Sequence, residues 1–230
     1  MNKRYSEVDI LRGIAVVMMV IFHFVFDLNY FNVYKFNIYN GFWLYFARLI
    51  AIIFIFLVGV SLTLVYYRKN YGFLDYFKKG SVVFGFGLLL TLVTYLFLRE
   101  GTIIFGVLHF IGISIILGSL FLSFKNLNLI LGAILIGLGF YINKFIVSYP
   151  WLVWFGLKFN NFNTLDYFPL LPWFGVILLG IYFGKLLYPK GKRRFNINLE
   201  NKYLSFLGRH SLVIYLLHQP ILILVINLFK

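Results

Sequence analysis

An arginine and a histidine lie eleven residues apart in an otherwise apolar stretch near the start of the chain, from Asp9 to Asp27. At about 100° per residue, Arg12 and His23 would differ by only about 20° around an α-helix. The two carboxylates that bound the stretch fall within about 60° of Arg12 on the same side. Ionisable groups inside a membrane are costly and are usually retained for proton transfer or for binding a polar substrate. We therefore expect this polar stripe to face protein or a wet cavity and to form part of a functional site.

The composition is that of an integral membrane protein. Of 230 residues, 62% are hydrophobic and 12% are charged, and the mean hydropathy is +0.90. A soluble domain could not bury so much apolar surface. Cysteine is absent, which excludes disulfides, thiolate metal ligands and a cysteine nucleophile. We predict a single integral membrane domain over residues 1–230.

Apolar runs predict an all-α, polytopic membrane protein, a bundle of about seven transmembrane helices. The connection at residues 144–168 is rich in aromatic side chains and suits an interfacial or re-entrant position. The spans are expected at residues 10–27, 42–66, 80–98, 102–123, 127–143, 169–188 and 205–228.

The loop charges predict the orientation. With seven spans, the N-terminus and loops 67–79, 124–126 and 185–204 share one side and carry thirteen basic residues, against five in the other loops. The positive-inside rule then places the N-terminus in the cytoplasm. This asymmetry also accounts for most of the net charge of +14, so we expect membrane lipid and no nucleic acid as a partner. Small residues at Gly180 and Gly184 would permit close helix approach and allow a homodimer.

Further ionisable residues fall in or beside the predicted spans. Arg48 enters the second span from the side on which Asp27 lies, and mutual neutralisation favours an ion pair between them. No two of the four histidines are spaced as i, i+3 or i+4 partners, so we expect no metal site. The remaining candidates are His109 and His218 inside spans, and Asp166, Arg209 and His210 near span ends.

The first-span motif, arginine, ten residues, then histidine, resembles that of acyltransferase family 3 membrane enzymes. The longer pattern is closer to the catalytic-domain family of heparan-α-glucosaminide N-acetyltransferase. The matching blocks extend over nearly the whole chain and lie at residues 7–13, 54–61, 165–175 and 207–220.

This resemblance implies transfer of an acetyl group from acetyl-CoA to an amino or hydroxyl group of a glycan or other surface acceptor. The donor is polyanionic, and Arg12, Arg209 and His210 are expected to bind its phosphates. His23 is expected to act as the general base, and Asp27 to orient its imidazole.

The sequence departs from the family's pattern at one point. In the family's lysosomal enzyme the proposed catalytic histidine follows the first span, whereas residues 28–41 here contain none and His23 is the nearest. His109 or His218 would supply a second proton-transfer group or an oxyanion donor. The residues expected near the acceptor are Asp9, Arg48, His109, Asp166 and His218.

Two other functions fit the same polar stripe. One is a proton-coupled transporter or flippase of a polar substrate, although no internal repeat is detectable. The other is a non-catalytic scaffold whose polar residues only tie helices together. Individual residues also have structural alternatives: a helix–helix hydrogen bond for His23, an interfacial position for Arg12, an N-cap for Asp9 and an ion pair for Asp27 with Arg48.

Overall fold

The computed structural model is built almost wholly of helices, and it describes residues 5–98, 101–195 and 199–228. Extended backbone pairs within those ranges only as two isolated bridges, Phe105 with Tyr167 and Ile146 with Lys158. The prediction of an all-α fold is confirmed. The α-helices are α1 (Ser6–Tyr30), α2 (Gly41–Arg68), α3 (Phe73–Leu98), α4 (Val107–Ser119), α5 (Asn126–Ile142), α6 (Leu170–Leu187), α7 (Lys202–Arg209) and α8 (Ser211–Leu228).

Five of these helices, α1, α2, α3, α6 and α8, are long and apolar enough to cross a membrane. At about 1.5 Å per residue, a helix of about 20 residues matches a hydrocarbon core of about 30 Å. Helices α4 and α5 are apolar but shorter, with 13 and 17 residues. The chain is therefore a polytopic helical membrane protein, as predicted.

Two predicted spans differ from the helices that form. The span expected at 102–123 is helical only in α4, because the chain before it is extended where Phe105 pairs with Tyr167. The span expected at 205–228 is interrupted at His210, where α7 ends and α8 begins. The reason for this break is that α7 is amphipathic and carries polar side chains, whereas α8 is mostly apolar, with polar exceptions that include His218 and Gln219.

Four of the basic residues counted for the predicted orientation, Lys3, Arg4, Arg99 and Lys230, lie outside the described residues. The cytoplasmic position of the N-terminus stays a prediction.

The chain forms two compact units, residues 1–57 with 195–230 and residues 58–194. In the first unit, α1 packs against α7 and α8. In the second unit, α3 packs on α4, and α6 packs on both α4 and α5. Helix α2 contributes its first part to one unit and its last part to the other. The prediction of a single domain stays a prediction.

Two glycines allow α1 and α7 to approach until their backbones touch. A β-carbon at Gly13 would overlap the backbone carbonyl of Leu204, and one at Gly208 would overlap that of Asp9. Small residues permit this kind of approach between helices, since no side chain separates the two backbones. The contact places Arg12, which precedes Gly13, beside the end of α7.

The last part of α2 approaches α6 in the same way. A β-carbon at Gly59 would lie 2.9 Å from the α-carbon of Gly180, and one at Gly184 would lie 2.9 Å from the side chain of Thr63. The Thr63 hydroxyl donates to the backbone carbonyl of Ile181 at 3.2 Å. The prediction that Gly180 and Gly184 permit close helix approach is confirmed.

The aromatic connection between α5 and α6 folds around a 3₁₀ helix, Pro150–Phe155. The Tyr167 hydroxyl donates to the Val153 carbonyl at 2.7 Å, and burial raises the pKa of Tyr167, which keeps that donor protonated. Trp154 stacks on Phe105 with ring centroids 5.5 Å apart. The interfacial or re-entrant position of this segment stays a prediction.

Candidate functional site

Two histidines meet between α1 and α8. The ring centroids of His23 and His218 lie 4.7 Å apart, with the rings inclined at 74°. The His218 side chain is 7% exposed, and His23 is half-buried. The structure therefore brings together the predicted general base and a histidine predicted to lie near the acceptor, residues that are 195 positions apart in the chain.

Backbone carbonyls hold both imidazoles. His23 Nδ1 lies 2.9 Å from the Met19 carbonyl oxygen, and His218 Nδ1 lies 2.7 Å from that of Tyr215. A carbonyl oxygen only accepts hydrogen bonds, so in each neutral ring Nδ1 carries the proton and Nε2 keeps its lone pair. Among the described residues, the buried Nε2 of His218 has no hydrogen-bond partner.

One helical turn beyond His23, a carboxylate meets an amide. The Gln219 Nε2 group donates to Asp27 Oδ1 at 2.6 Å, and the Asp27 side chain is 2% exposed. Asp27 Oδ2 and Gln219 Oε1 are also buried with no partner in the part of the chain that the structure describes. With His218 Nε2 they make three buried acceptor atoms on α1 and α8. A buried polar atom left unpaired costs about 1–3 kcal/mol, so a bound donor, either water or a ligand, is expected there.

Two predictions about Asp27 are wrong. It does not form an ion pair with Arg48, because Asp27 is buried between α1 and α8, where the Gln219 amide donates to it, whereas Arg48 is exposed on α2. Nor does Asp27 orient the imidazole of His23. The Met19 carbonyl, one turn back on the same helix, lies within reach of that ring and fixes it.

Basic side chains collect where α1 meets α7. Arg12 Nη1 lies 3.4 Å from Asp9 Oδ1 and 3.5 Å from the Gly208 carbonyl oxygen. Because α1 begins before Asp9, that residue lies in the first turn and is not the N-cap. Arg209 and His210, which follow Gly208, are both exposed. The three residues predicted to bind the phosphates of the donor thus share one end of this helix pair.

His109 lies in the second unit, and both of its ring nitrogens are bonded. The side chain is 2% exposed, and Nδ1 accepts from the Gly106 backbone N–H at 3.2 Å. Nε2 lies 3.2 Å from the Thr91 hydroxyl, which itself donates to the Ile103 carbonyl. Nε2 must therefore carry the proton and donate to Thr91. In this arrangement the ring has no lone pair to offer, so its predicted role in proton transfer would require one of these bonds to break.

Asp166 caps a helix. Its Oδ2 accepts from the Val107 backbone N–H at 2.9 Å, at the first residue of α4. A carboxylate is favourable at a helix N-terminus, where backbone N–H groups lack partners. The contacts with the acceptor predicted for Asp9, Arg48, His109, Asp166 and His218 stay predictions.

Two members of the site were not predicted from the sequence. Gln219 directly follows His218 in a block singled out for its histidine, yet its pairing with Asp27 depends on how α8 packs on α1. The Met19 carbonyl is part of the backbone and has no signal of its own, although any α-helical histidine lies near the carbonyl four residues before it.

A family model described as heparan-alpha-glucosaminide N-acetyltransferase, catalytic, matches residues 4–220 of the chain. The matched range includes every residue of the site described above. No match was found among curated proteins or among solved structures.

Proposed function

The chain belongs to the heparan-alpha-glucosaminide N-acetyltransferase catalytic family, and from that premise we propose that it moves an acetyl group from acetyl-CoA to an amino or hydroxyl group of a glycan or other surface acceptor. One observation supports this most: the His23–His218 pair lies on the same two helices as three buried hydrogen-bond acceptor atoms with no described partner. Such a site suits a ligand rich in N–H and O–H donors.

The unpartnered atoms fit the acceptor substrate. Asp27 Oδ2 and Gln219 Oε1 would accept hydrogen bonds from its hydroxyl or amino groups, and His218 Nε2 would accept a third. Each bond would satisfy a buried group that otherwise remains unpaired, which favours sugars over apolar molecules. In this proposal Asp27 binds the acceptor and does not orient the histidine.

His23 would be the general base. Its Nδ1–H is anchored to the Met19 carbonyl, so Nε2 can take a proton from the attacking nitrogen or oxygen. The attacking nitrogen or oxygen of the acceptor then forms a bond to the thioester carbonyl carbon, and the carbon–sulfur bond breaks. The sulfur leaves as the thiolate of CoA and receives the proton from the imidazolium. The products are the acetylated acceptor and CoA with a free thiol.

The end of α1 near α7 suits the phosphates of the donor. Arg12 is half-buried beside Gly208, and Arg209 and His210 are exposed next to it. Guanidinium groups bind phosphates through paired hydrogen bonds. Eleven residues of helix separate Arg12 from His23, about 16 Å, so the donor would have to extend along α1 to present its thioester.

Acetyl transfer by purified protein would test the proposal. Wild type, His23→Ala and His218→Ala would receive radiolabelled acetyl-CoA with candidate amino sugars and alcohols in lipid nanodiscs. We expect label in the acceptor, a loss of about 10²- to 10⁴-fold in His23→Ala, and a smaller loss in His218→Ala. Thermal melting and retained acetyl-CoA binding would show that the variants fold.

Two outcomes would contradict it. Product formation by folded His23→Ala at the wild-type rate would exclude this histidine as the base. Flux of a polar substrate into vesicles with no covalent product would favour the transporter, for which the same buried histidines would carry protons.

A further inference from the structure

The second unit contains a cavity that lies outside the proposed acetyl-transfer site. Its volume is about 130 Å³, and its walls include Tyr66, Tyr71 and Tyr76 on one side and Leu120 and Leu122 on another. We call it the tyrosine cavity. Water occupies about 30 Å³ per molecule in the liquid, so the cavity accommodates a group of a few heavy atoms, the size of a phosphate.

One wall of the tyrosine cavity carries a buried hydroxyl. Tyr76 is 4% exposed, and its hydroxyl has no hydrogen-bond partner among the described residues. Its ring meets the Tyr71 ring edge-on, with centroids 5.7 Å apart. Buried hydroxyls without a partner are uncommon in folded proteins. A ligand oxygen in the cavity would accept from this group.

Ammonium groups surround the same tyrosines. Lys69 Nζ donates to the Tyr71 hydroxyl at 3.1 Å, and Lys79 Nζ lies 4.7 Å from the Tyr71 ring centroid. The hydrogen bond from Lys69 and the nearby ammonium group of Lys79 lower the pKa of Tyr71. Lys185 Nζ lies 5.5 Å from the centroid of Tyr66, and its side chain is only 8% exposed.

Little negative charge offsets these cations. In the described ranges, Lys69, Lys79 and Lys185 form no ion pair within 4.0 Å. The neighbouring carboxylate, Asp75, accepts from the Gly72 backbone N–H at 3.0 Å at the start of α3. The cavity thus has a donor hydroxyl in its wall and ammonium groups against two of its tyrosines, a combination that favours an anion.

We propose that the tyrosine cavity binds a phosphate group, held by the Tyr76 hydroxyl and the ammonium groups of Lys69 and Lys79. Lysine binds phosphate as a point charge and tolerates varied geometry, so it suits a headgroup as well as a nucleotide. The aromatic and leucine walls would contact the apolar part of the ligand. The phosphate can come from an anionic phospholipid or from a soluble phosphate.

Binding measurements on the full chain in neutral detergent would test this inference without any acetyl transfer. One arm would compare phosphatidylglycerol with zwitterionic phosphatidylcholine by native mass spectrometry, and the other would titrate inorganic phosphate, because CoA would also bind at the proposed donor site. The site variants are Tyr76→Phe and the double variant Lys69→Gln/Lys79→Gln. The matched control is Lys78→Gln/Lys144→Gln, which removes the same charge from exposed lysines.

We expect the double site variant to lose about tenfold to a hundredfold in affinity and Tyr76→Phe to lose roughly tenfold, with the control near wild type. A loss confined to phosphatidylglycerol would identify a lipid headgroup, and a loss confined to inorganic phosphate would identify a soluble phosphate. Equal losses in the control would overturn the proposal in favour of general surface charge. The proposal would also be overturned if Tyr76→Phe kept wild-type affinity, or if the wild-type protein bound neither ligand.

Discussion

The histidines of this chain differ in what their ring nitrogens can still do. In His109 both nitrogens are bonded, one to the Gly106 N–H and the other to the Thr91 hydroxyl. In His23 and His218, Nδ1 meets a backbone carbonyl, and it is the only ring nitrogen with a hydrogen-bond partner in the part of the chain that the structure describes. A base needs an available lone pair, so burial by itself does not mark a catalytic histidine. The bonding pattern favours the His23–His218 pair over His109.

Asp27→Asn tests whether the carboxylate binds the acceptor. The change keeps the shape and the bond from Gln219 but removes the charge, so hydrogen bonds to the acceptor should weaken. We expect kcat/KM for the acceptor to fall roughly tenfold to a hundredfold, mainly through KM, with the KM for acetyl-CoA unchanged. Steady-state kinetics with either substrate varied would measure this.

A fall in kcat with an unchanged acceptor KM would instead assign Asp27 to the chemical step. Thermal melting would provide the control for folding, since the hydrogen bond between the side chains of residues 27 and 219 remains possible in the variant.

At the scale of the helices, α7 positions the residues that we propose to bind the donor. It is short and polar, and it contacts α1 through the backbone at Gly13 and Gly208. This contact sets the Gly208 carbonyl 3.5 Å from Arg12 and brings Arg209 to the same end. Gly13 and Gly208 thus have a steric role, and the neighbouring basic residues have the proposed role in donor binding.

Gly208→Ala should separate α7 from α1. A new β-carbon would overlap the Asp9 carbonyl, and such overpacking costs about 1–3 kcal/mol. The matched control is Gly137→Ala in α5, where nothing lies within 4 Å of the added atom and helix propensity favours alanine by about 1 kcal/mol. We expect the melting temperature to fall in the first variant and to stay level or rise in the second.

Equal stabilisation by both alanines would mean that α7 does not rest on α1 in the membrane. Because Arg209 depends on this contact, Gly208→Ala should also weaken acetyl-CoA binding, whereas Gly137→Ala should not.

At the scale of the whole molecule, the open question is how the chain crosses the membrane. Helix α4 has 13 residues, about 20 Å, which is shorter than the hydrocarbon core. If α4 and α5 cross as a pair, the segment between them lies on the side of loop 67–79; if neither crosses, it lies on the opposite side. The cavity walls support the first arrangement within the second unit, since Tyr71 and Leu122 line the same cavity.

The absence of cysteine makes this orientation directly testable. Single cysteines would be placed at the exposed residues Lys125, Asn160 and Lys192, and intact cells would be treated with a membrane-impermeant maleimide. We expect labelling at position 160 only, with positions 125 and 192 labelled after permeabilisation. External labelling at 125 would show that α4 and α5 do not cross, and external labelling at 192 would reverse the predicted topology.

The sequence by itself determined the properties that depend on local pattern. Hydropathy established the membrane class and most of the apolar helices, but not the bounds of α4 or the break between α7 and α8. Helical periodicity placed Arg12 and His23 on one flank of α1, which is continuous from Ser6 to Tyr30. Spacing also identified Gly180 and Gly184 as residues that permit close approach, because the size of a residue is known without its neighbours, but it did not identify Gly13 and Gly208.

Only the tertiary structure decided which residues meet. It paired His23 with His218 and Asp27 with Gln219, whereas charge alone had favoured Arg48. It also enclosed His109 in hydrogen bonds. These outcomes depend on how helices far apart in the chain rotate and pack, and that is fixed by side-chain shape at their contacts rather than by any local pattern.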